Sequence, residues 1–200
     1  MRDAVVSSAA TREAILDATD RLLARYGFRK MTIDDLAKEV GIGKGSVYLH
    51  FPSKEEIALS HIDRVIDRLK GRMYSIAHGR SSVVDKLKAI LIERVTYRFD
   101  SVQNYTQSLD ELLSSLRASL LERRKRYFAE EARILSDVVT EGQESNVFRA
   151  GDPFDIALTL VSATNSLLPY SLSALELGDR KVVAQRAAKT ADLLISGLKG

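Results

Sequence analysis

Apolar residues recur along most of this 200-residue chain at the three- and four-residue spacing of an amphipathic helix. No stretch shows the sustained two-residue alternation that is typical of a half-buried strand. The pattern therefore predicts an all-α protein. We expect residues 1–10 to form a loose arm and Thr11 to cap a first helix, which ends at Gly27. The inward face of this helix would be Ile15, Ala18, Leu22 and Tyr26.

Two short helices separated by a glycine turn follow the first helix. Thr32 and Asp35 resemble a capping box, with Asp in place of the usual Glu or Gln, and they open the first short helix. The turn is Gly-Ile-Gly at residues 41–43, and the second short helix, from Lys44 to His50, cannot continue past Pro52. The angle between the two helices would be held by Leu36, Ala37, Val40, Ile42 and Val47. Such a corner is a helix-turn-helix.

Longer helices are predicted for the rest of the chain. Ser53 and Glu56 form a fuller capping box and start a helix that should reach Ile76, and residues 78–81 join two parts of the protein. Further helices are expected at about 82–99, 104–116 and 119–144. The prediction is an N-terminal three-helix domain at residues 9–69 and a C-terminal helical domain at residues 70–200, with about nine helices in all.

The end of the chain carries clear start and stop signals. Asp152 and Pro153 suit the N-cap and the first position of a helix, which we expect to reach Leu177. Within this helix Pro169 would leave the Asn165 carbonyl without its usual donor and bend the axis. Residues 178–179, Gly-Asp, break the helix before a last one that runs to Leu198.

Composition narrows the classes of protein. Hydrophobic residues make up 45% and charged residues 28% of the chain, which is typical of a folded globular protein. The absence of cysteine, of a signal peptide and of an apolar run near 18 residues predicts a cytoplasmic protein without a membrane partner. The three histidines lack ligand-like companions, and we expect His61 and His78 to be exposed or at helix ends. We predict no catalytic residue, no metal and no cofactor.

The outward side of the second short helix carries the candidate chemistry. It presents Lys44, Gly45, Ser46, Tyr48, Leu49 and His50. A helix fits the major groove of DNA, where Lys44 could donate to guanine and Gly45 would let the backbone approach closely. Lys54 could meet a phosphate at the start of the next helix. Residues 1–60 hold nine basic and nine acidic side chains, so the positions of the charges, and not their sum, must support DNA binding.

The segment from Thr11 to Leu59 resembles the DNA-binding domain of the tetracycline-repressor (TetR) family. The matching features are the aromatic-Gly-Phe end of the first helix, T-x-x-x-L-A, G-I-G-K-G-S-V-Y, the H-F pair and S-K-E-E. The resemblance implies DNA contacts by Thr32, Lys44, Gly45, Ser46, Tyr48, His50 and Lys54. Leu49 departs from the family, which often has a second aromatic residue there.

The resemblance also implies what the C-terminal domain does. Such domains bind a small-molecule effector and form a homodimer through the last two helices, so the operator should be palindromic. The last helix has a wide apolar stripe that supports a second contact, made of Val182, Val183, Ala187, Ala188, Ala191, Leu194, Ile195 and Leu198. We expect a transcriptional repressor that the effector releases from DNA. The alternative is a helical small-molecule-binding or interaction protein that has lost DNA binding.

Candidate effector contacts are fewer and weaker. The basic run at residues 123–126 is expected to be a solvated face or to pair with Glu122, Glu130 and Glu131, unless one arginine turns inward to an anionic effector. The bend expected at Pro169 either fits the dimer or opens a pocket in which Asn165 orients a ligand. The proposed effector-binding residues are Tyr105, Arg124, Phe128, Ser162 and Asn165.

Overall fold

The computed structural model describes residues 2–103, 106–168 and 178–199. In these ranges the chain forms nine α-helices and one 3-10 turn, and its only β-type pairing is an isolated bridge between Phe148 and Lys199. The helices are α1 (Arg2–Lys30), α2 (Ile33–Val40), α3 (Lys44–His50), α4 (Lys54–Ala77), α5 (Val83–Val102), α6 (Thr106–Ser115), α7 (Arg117–Glu144), α8 (Pro153–Thr164) and α9 (Arg180–Ser196). The predicted all-α class is confirmed.

The first helix differs from its prediction at its start and on its inward face. It begins at Arg2, so the expected loose arm and the N-cap at Thr11 are wrong. Residues 2–10 contain neither glycine nor proline, and nothing in them interrupts a helix. Gly27 breaks the helical geometry with φ 74° and ψ 171°, as its positive-φ preference predicts. Tyr26, expected to face inward, is 44% exposed, and the buried Leu23 takes the inner position instead.

The described residues form two compact units. The first contains the chain up to Val65 together with residues 106–120, and the second contains residues 66–103 and the chain from Leu121 onward. In the first unit α1 packs against α2, α3 and α6, and in the second α5 packs against α8 and α9. The predicted domains at 9–69 and 70–200 stay a prediction, because compact units need not coincide with functional domains.

The second unit has one apolar core. Its helices contribute mainly Leu, Ile, Val and Ala, which pack without polar groups to satisfy. The fully buried members include Leu69, Met73, Leu87, Ile90, Leu91, Ala132, Leu135, Val139, Ala157, Val161 and Ala191. Every fourth residue of α9 from Val183 to Ile195 is buried, so much of the stripe predicted for the last helix is used within the chain itself.

Helix α8 starts as predicted and ends earlier. The Asp152 carboxylate accepts from the Asp155 amide at 2.8 Å, and Pro153 occupies the first turn. The helix expected to reach Leu177 stops at Thr164 and passes into a 3-10 turn over Asn165–Leu167. Leu168 is extended, with φ −92° and ψ 149°, because the ring of a following proline disfavours helical geometry in the residue before it. Pro169 itself lies outside the described residues.

This early end also changes the expected bonding of Asn165. The Leu168 amide donates to the Asn165 carbonyl at 3.1 Å, so that carbonyl is not left without a donor. Beyond the undescribed segment Gly178 has φ 64°, and the Asp179 carboxylate caps α9 by accepting from the Lys181 amide at 2.6 Å. The break predicted at residues 178–179 is confirmed.

The two histidines expected to be exposed or at helix ends differ in burial. His61 is 3% exposed, with its Nε2 3.6 Å from the Asp20 carboxylate, so the expectation that it is exposed or at a helix end is wrong. His78 is exposed just after the end of α4, as predicted. None of the helices in the described ranges is both long and apolar enough to cross a membrane, and no group of potential metal ligands occurs in those ranges.

Candidate nucleic-acid interface

The corner between α2 and α3 is built from local signals. The Gly41 backbone is left-handed, with φ 77°, and its amide donates to the Lys38 carbonyl, which ends α2. Leu36, Ala37 and Val47 are buried between the helices, while Val40 and Ile42 are partly buried. Because α3 has only seven residues, its orientation depends on this packing and not on helix propensity.

Thr32 forms the predicted capping box with Asp35. The Thr32 hydroxyl accepts from the Asp35 amide at 3.1 Å, and the Asp35 carboxylate accepts from the Thr32 amide at 3.0 Å and from its hydroxyl at 2.6 Å. These hydrogen bonds from Thr32 hold the pKa of the Asp35 carboxyl below its ordinary value. Thr32 is exposed, its hydroxyl serves the cap of α2, and its contact with DNA stays a prediction.

The outward face of α3 is open. Lys44, Gly45, Tyr48 and Leu49 are exposed, with Tyr48 at 48% and Leu49 at 85%, while Ser46 and His50 are partly buried. A Cβ placed on Gly45 would meet no atom within 4 Å. The described part of the first unit thus leaves this face uncovered, as a helix that enters a DNA groove requires.

Lys44 is paired with an acidic neighbour. Its ammonium donates to the Asp34 carboxylate at 2.8 Å, and this hydrogen bond raises the pKa of Lys44 above its ordinary value. Both side chains are at least half exposed, so the pair contributes little to stability. The pair holds the Lys44 ammonium in place and offsets its charge with that of Asp34.

Lys54 holds two parts of the first unit together. Its ammonium donates to the carbonyls of Phe28 at 3.1 Å and Arg29 at 3.3 Å, and it lies 4.6 Å from the centre of the Phe28 ring. An ammonium group has three N–H donors, so one remains for a phosphate oxygen. At the start of the same helix, the Ser53 hydroxyl accepts from the Glu56 amide at 3.1 Å, as the predicted cap requires.

Arg12 supports α3 from behind, a role that no local sequence pattern indicates. One guanidinium nitrogen donates to the His50 carbonyl and another to the Ser60 hydroxyl, both at 3.2 Å. The guanidinium also stacks 4.1 Å from the centre of the Phe51 ring. Arg12 and His50 are 38 positions apart in the chain, so only the folded structure brings them together.

Three of the predicted effector residues meet in the second unit. The ring of Phe128 lies 5.3 Å from both the Arg124 and the Arg94 guanidinium groups, and Asn165 accepts from Arg94 at 2.6 Å. Ser162 lies on the exposed side of α8. Tyr105 lies outside the described residues. Phe128 and Asn165 thus both contact Arg94, a residue that the sequence pattern does not single out, and Arg124 contacts Phe128.

Arg94 belongs to a buried ionic network. Its Nε donates to Glu131 at 2.5 Å and one Nη to the Thr164 hydroxyl at 2.7 Å, and Arg98 donates to the other Glu131 oxygen. Burial alone raises the pKa of the Glu131 carboxyl, but the charges of Arg98 and Arg94 outweigh it and the pKa lies below its ordinary value. Glu131 therefore pairs with α5 and not with the basic run at residues 123–126. Glu130 contacts Arg126 in that run, and also Lys70.

The family of the DNA-binding segment follows from comparison with known proteins. A family model described as "Bacterial regulatory proteins, tetR family" matches residues 15–60, which contain α2, α3 and the residues that cap them. Residues 15–60 therefore form a TetR-type DNA-binding segment. The match covers the predicted helix-turn-helix and ends within α4, so the TetR-family assignment rests on the segment whose geometry suits a DNA groove.

Proteins that match beyond this segment are named as transcriptional regulators or repressors. The HTH-type transcriptional repressor KstR2 of Mycobacterium tuberculosis is 26% identical over 156 residues, which is 76% of each chain. The crystal structure of a transcriptional regulator from Cytophaga hutchinsonii aligns with a TM-score of 0.77 at 22% identity, covering 94% of this chain and 98% of that one. The Bacillus subtilis regulator FadR in complex with stearoyl-CoA aligns with a TM-score of 0.66 at 18% identity, covering 93% and 98%. These structural likenesses show that most of the chain shares the fold of those two regulators.

Proposed function

We propose that this TetR-family chain is a transcriptional repressor that binds operator DNA through α3 and leaves it when a small-molecule effector binds. The observation that carries the proposal is the orientation of α3. Val47 is buried, while Gly45, Tyr48 and Leu49 on the opposite side are exposed. A helix held in this way can place its free side in a major groove.

Each predicted DNA contact has a distinct role. Lys44 reads a guanine edge, and Gly45 lets the helix backbone approach the bases. Ser46, Tyr48 and His50 donate to phosphates or base edges, and Thr32 and Lys54 bind phosphates on either side of the groove. The exposure of Lys44, Gly45 and Tyr48 supports these roles.

The repressor acts as a homodimer through its last two helices. Three large apolar side chains on α8 and α9 are exposed in the single chain: Phe154, Val182 and Leu193. Exposed apolar surface on adjacent helices is typical of a contact between subunits. A two-fold dimer presents two recognition helices about 34–36 Å apart, which requires a palindromic operator.

A small molecule binds in the C-terminal part and selects a conformation that does not fit the operator. Phe128 and Asn165 contact Arg94 there and Arg124 contacts Phe128, which supports their assignment to the effector site, and Tyr105 and Ser162 complete the proposed set. The structure of the B. subtilis relative with stearoyl-CoA shows that a protein of this fold can hold a small-molecule ligand. Helix α4 contributes residues to both compact units, and it is the proposed lever between effector and DNA.

Regulation rather than catalysis is the role that the relatives favour. KstR2 is named as a repressor, which favours DNA binding over a helical binding protein that has lost it. The proposed regulator is not an enzyme. Because an operator lies on the chromosome, the site of action would be the cytoplasm.

Selection from a random duplex library tests the proposal directly. The purified chain should enrich a palindrome, and Lys44→Ala should enrich a motif with relaxed preference at one position of each half-site. Duplex DNA from upstream of its own gene should bind in a gel-shift assay at moderate salt. Failure to enrich any motif, or an identical motif for Lys44→Ala, would contradict the proposed recognition.

A further inference from the structure

Leu49 is the most exposed large apolar side chain in the described part of the protein, at 85%. A single exposed leucine needs no explanation by itself. Its position, however, is on the one helix whose outward face carries Lys44, Gly45 and Tyr48. The folding of the first unit does not use the Leu49 side chain, which leaves its four carbons free for a contact in a complex.

The neighbour of Leu49 one turn earlier on α3 is Gly45, which has no side chain. Side chains four residues apart lie on the same face of a helix, and each points back toward the N-terminus. Leu49 therefore lies on the same face as Gly45, which has no side chain and where even a Cβ would meet nothing within 4 Å. The exposed Leu49 side chain thus stands next to backbone that no side chain covers at Gly45.

Contacts on the inner side of α3 fix the direction in which Leu49 faces. Val47 and Phe51 are buried, and Arg12 donates to the His50 carbonyl at the end of α3. The helix cannot turn to bury Leu49 without exposing Val47. Leu49 consequently faces the same partner as Lys44 and Tyr48.

We propose that Leu49 is a base-reading residue that packs against the C5-methyl group of a thymine in each half-site. The inference rests on the proposed function, because it requires α3 to lie in a major groove. In that groove the thymine methyl is the one apolar feature of a base pair, and apolar side chains recognise it by contact. Leu49 has no donor or acceptor, so it distinguishes thymine from cytosine by shape and burial. It adds specificity that the polar contacts of α3 do not supply.

Replacement of thymine by deoxyuridine tests the contact, because it removes only the methyl group. The operator recovered by selection is synthesised with each thymine replaced in turn, and dissociation constants are measured by fluorescence anisotropy. For the unmodified protein, one position in each half-site should lose about fourfold in affinity, the change that burial of one methyl group gives. Leu49→Ala should bind the thymine and deoxyuridine duplexes equally well at that position.

Leu49→Met is the matched control, because it keeps an apolar side chain of similar size and should keep the preference for thymine. Thermal unfolding of both variants should match that of the parent, since Leu49 is exposed. Equal binding of every deoxyuridine duplex by the parent protein would overturn the inference, as would an unchanged preference in Leu49→Ala. If the chain bound no DNA sequence specifically, the proposed function would fail as well, so the two failures are distinguishable.

Discussion

Some residues of the first unit hold α3 in position, and others form its exposed face. Val47 and Phe51 anchor it by burial, and Arg12 anchors its last carbonyl. Gly45 and Tyr48 make no comparable contribution to packing. Substitutions in the first group should therefore lower stability, and substitutions in the second should lower DNA affinity without lowering stability.

Gly45→Ala separates these two effects at one position. Gly45 lies in the first turn of α3 with helical geometry, and alanine has less unfolded-state entropy to lose than glycine, so the free energy of unfolding should rise by at most about 1 kcal/mol. Operator affinity should fall by about tenfold, because a methyl group keeps the backbone away from the base edges. Gly71→Ala on α4, where a Cβ also meets nothing within 4 Å, is the control and should gain stability without losing affinity. Full operator affinity in Gly45→Ala would remove the close approach from the mechanism.

Lys54 has a structural and a predicted DNA role, and both can be measured. Lys54→Ala should lower the free energy of unfolding by about 1 kcal/mol for each of the two carbonyl hydrogen bonds that it removes. If Lys54 binds one phosphate, the same substitution should make the slope of log affinity against log salt shallower by about 0.9. Lys54→Arg keeps the charge and should keep the slope. A slope unchanged in Lys54→Ala would show that Lys54 only holds the fold.

At the scale of the elements, the buried network ties three helices together. Arg94 and Arg98 on α5 share Glu131 on α7, and Arg94 also reaches Thr164 at the end of α8. Glu131 and Arg94 are fully buried. A buried ion pair adds little over an apolar contact, but removing one partner leaves the other charge uncompensated.

Glu131→Gln should therefore destabilise the protein by about 3–5 kcal/mol at neutral pH. The neighbouring Glu130→Gln, which removes a partly exposed pair with Lys70, should cost less than about 1 kcal/mol. Since the pKa of Glu131 is lowered by folding, its contribution is present above the unfolded-state pKa and is lost as pH falls through the folded-state pKa. Chemical unfolding across this pH range should show that the free energies of unfolding of the parent protein and Glu131→Gln converge in acid. Equal losses in Glu130→Gln and Glu131→Gln would contradict the network.

The elements also show how far sequence reasoning extends. The capping box of Thr32, the turn at Gly41 and the start at Asp152 depend on residues within four positions, so the sequence contains the whole of each signal. The end of α8 differs from its prediction because a proline can end a helix as well as bend it. The extended backbone of Leu168, the residue before Pro169, shows that the helix ends here.

Contacts between residues distant in the chain could not be predicted in the same way. Arg94 and Glu131 are 37 positions apart, and a basic run close to Glu131 offered a nearer partner. His61 and Arg12 are polar residues whose burial or contacts depend on how α1 and α4 pack. For the DNA interface, local signals placed α3 and its outward face, but they indicated no protein partner for Lys44 or Lys54.

At the scale of the whole molecule, the proposal depends on a pair of chains. Leu193 is 76% exposed on α9, beside a stripe that already packs on α5. A second copy would cover it. The two recognition helices can then bind one palindrome together, and the affinity for the operator exceeds that of a single chain for a half-site.

Leu193→Glu should disrupt this pairing without unfolding the chain. Sedimentation should show a dimer for the parent protein and a monomer for Leu193→Glu. Operator affinity should fall by about a hundredfold or more, because the second half-site no longer binds as part of the same complex. Tyr74→Glu, which changes an exposed aromatic residue on α4, is the control and should remain dimeric. A Leu193→Glu dimer would place the subunit contact elsewhere.

The most direct test asks whether the outward side of α3 enters DNA. The chain has no tryptophan, so Tyr48→Trp places a single indole on that face. When saturating operator duplex is added, the emission of Trp at position 48 should change and its quenching by acrylamide should fall, while Tyr74→Trp on α4 should show neither effect. An indole at position 48 that is as accessible in the saturated complex as in the free protein would contradict recognition through α3.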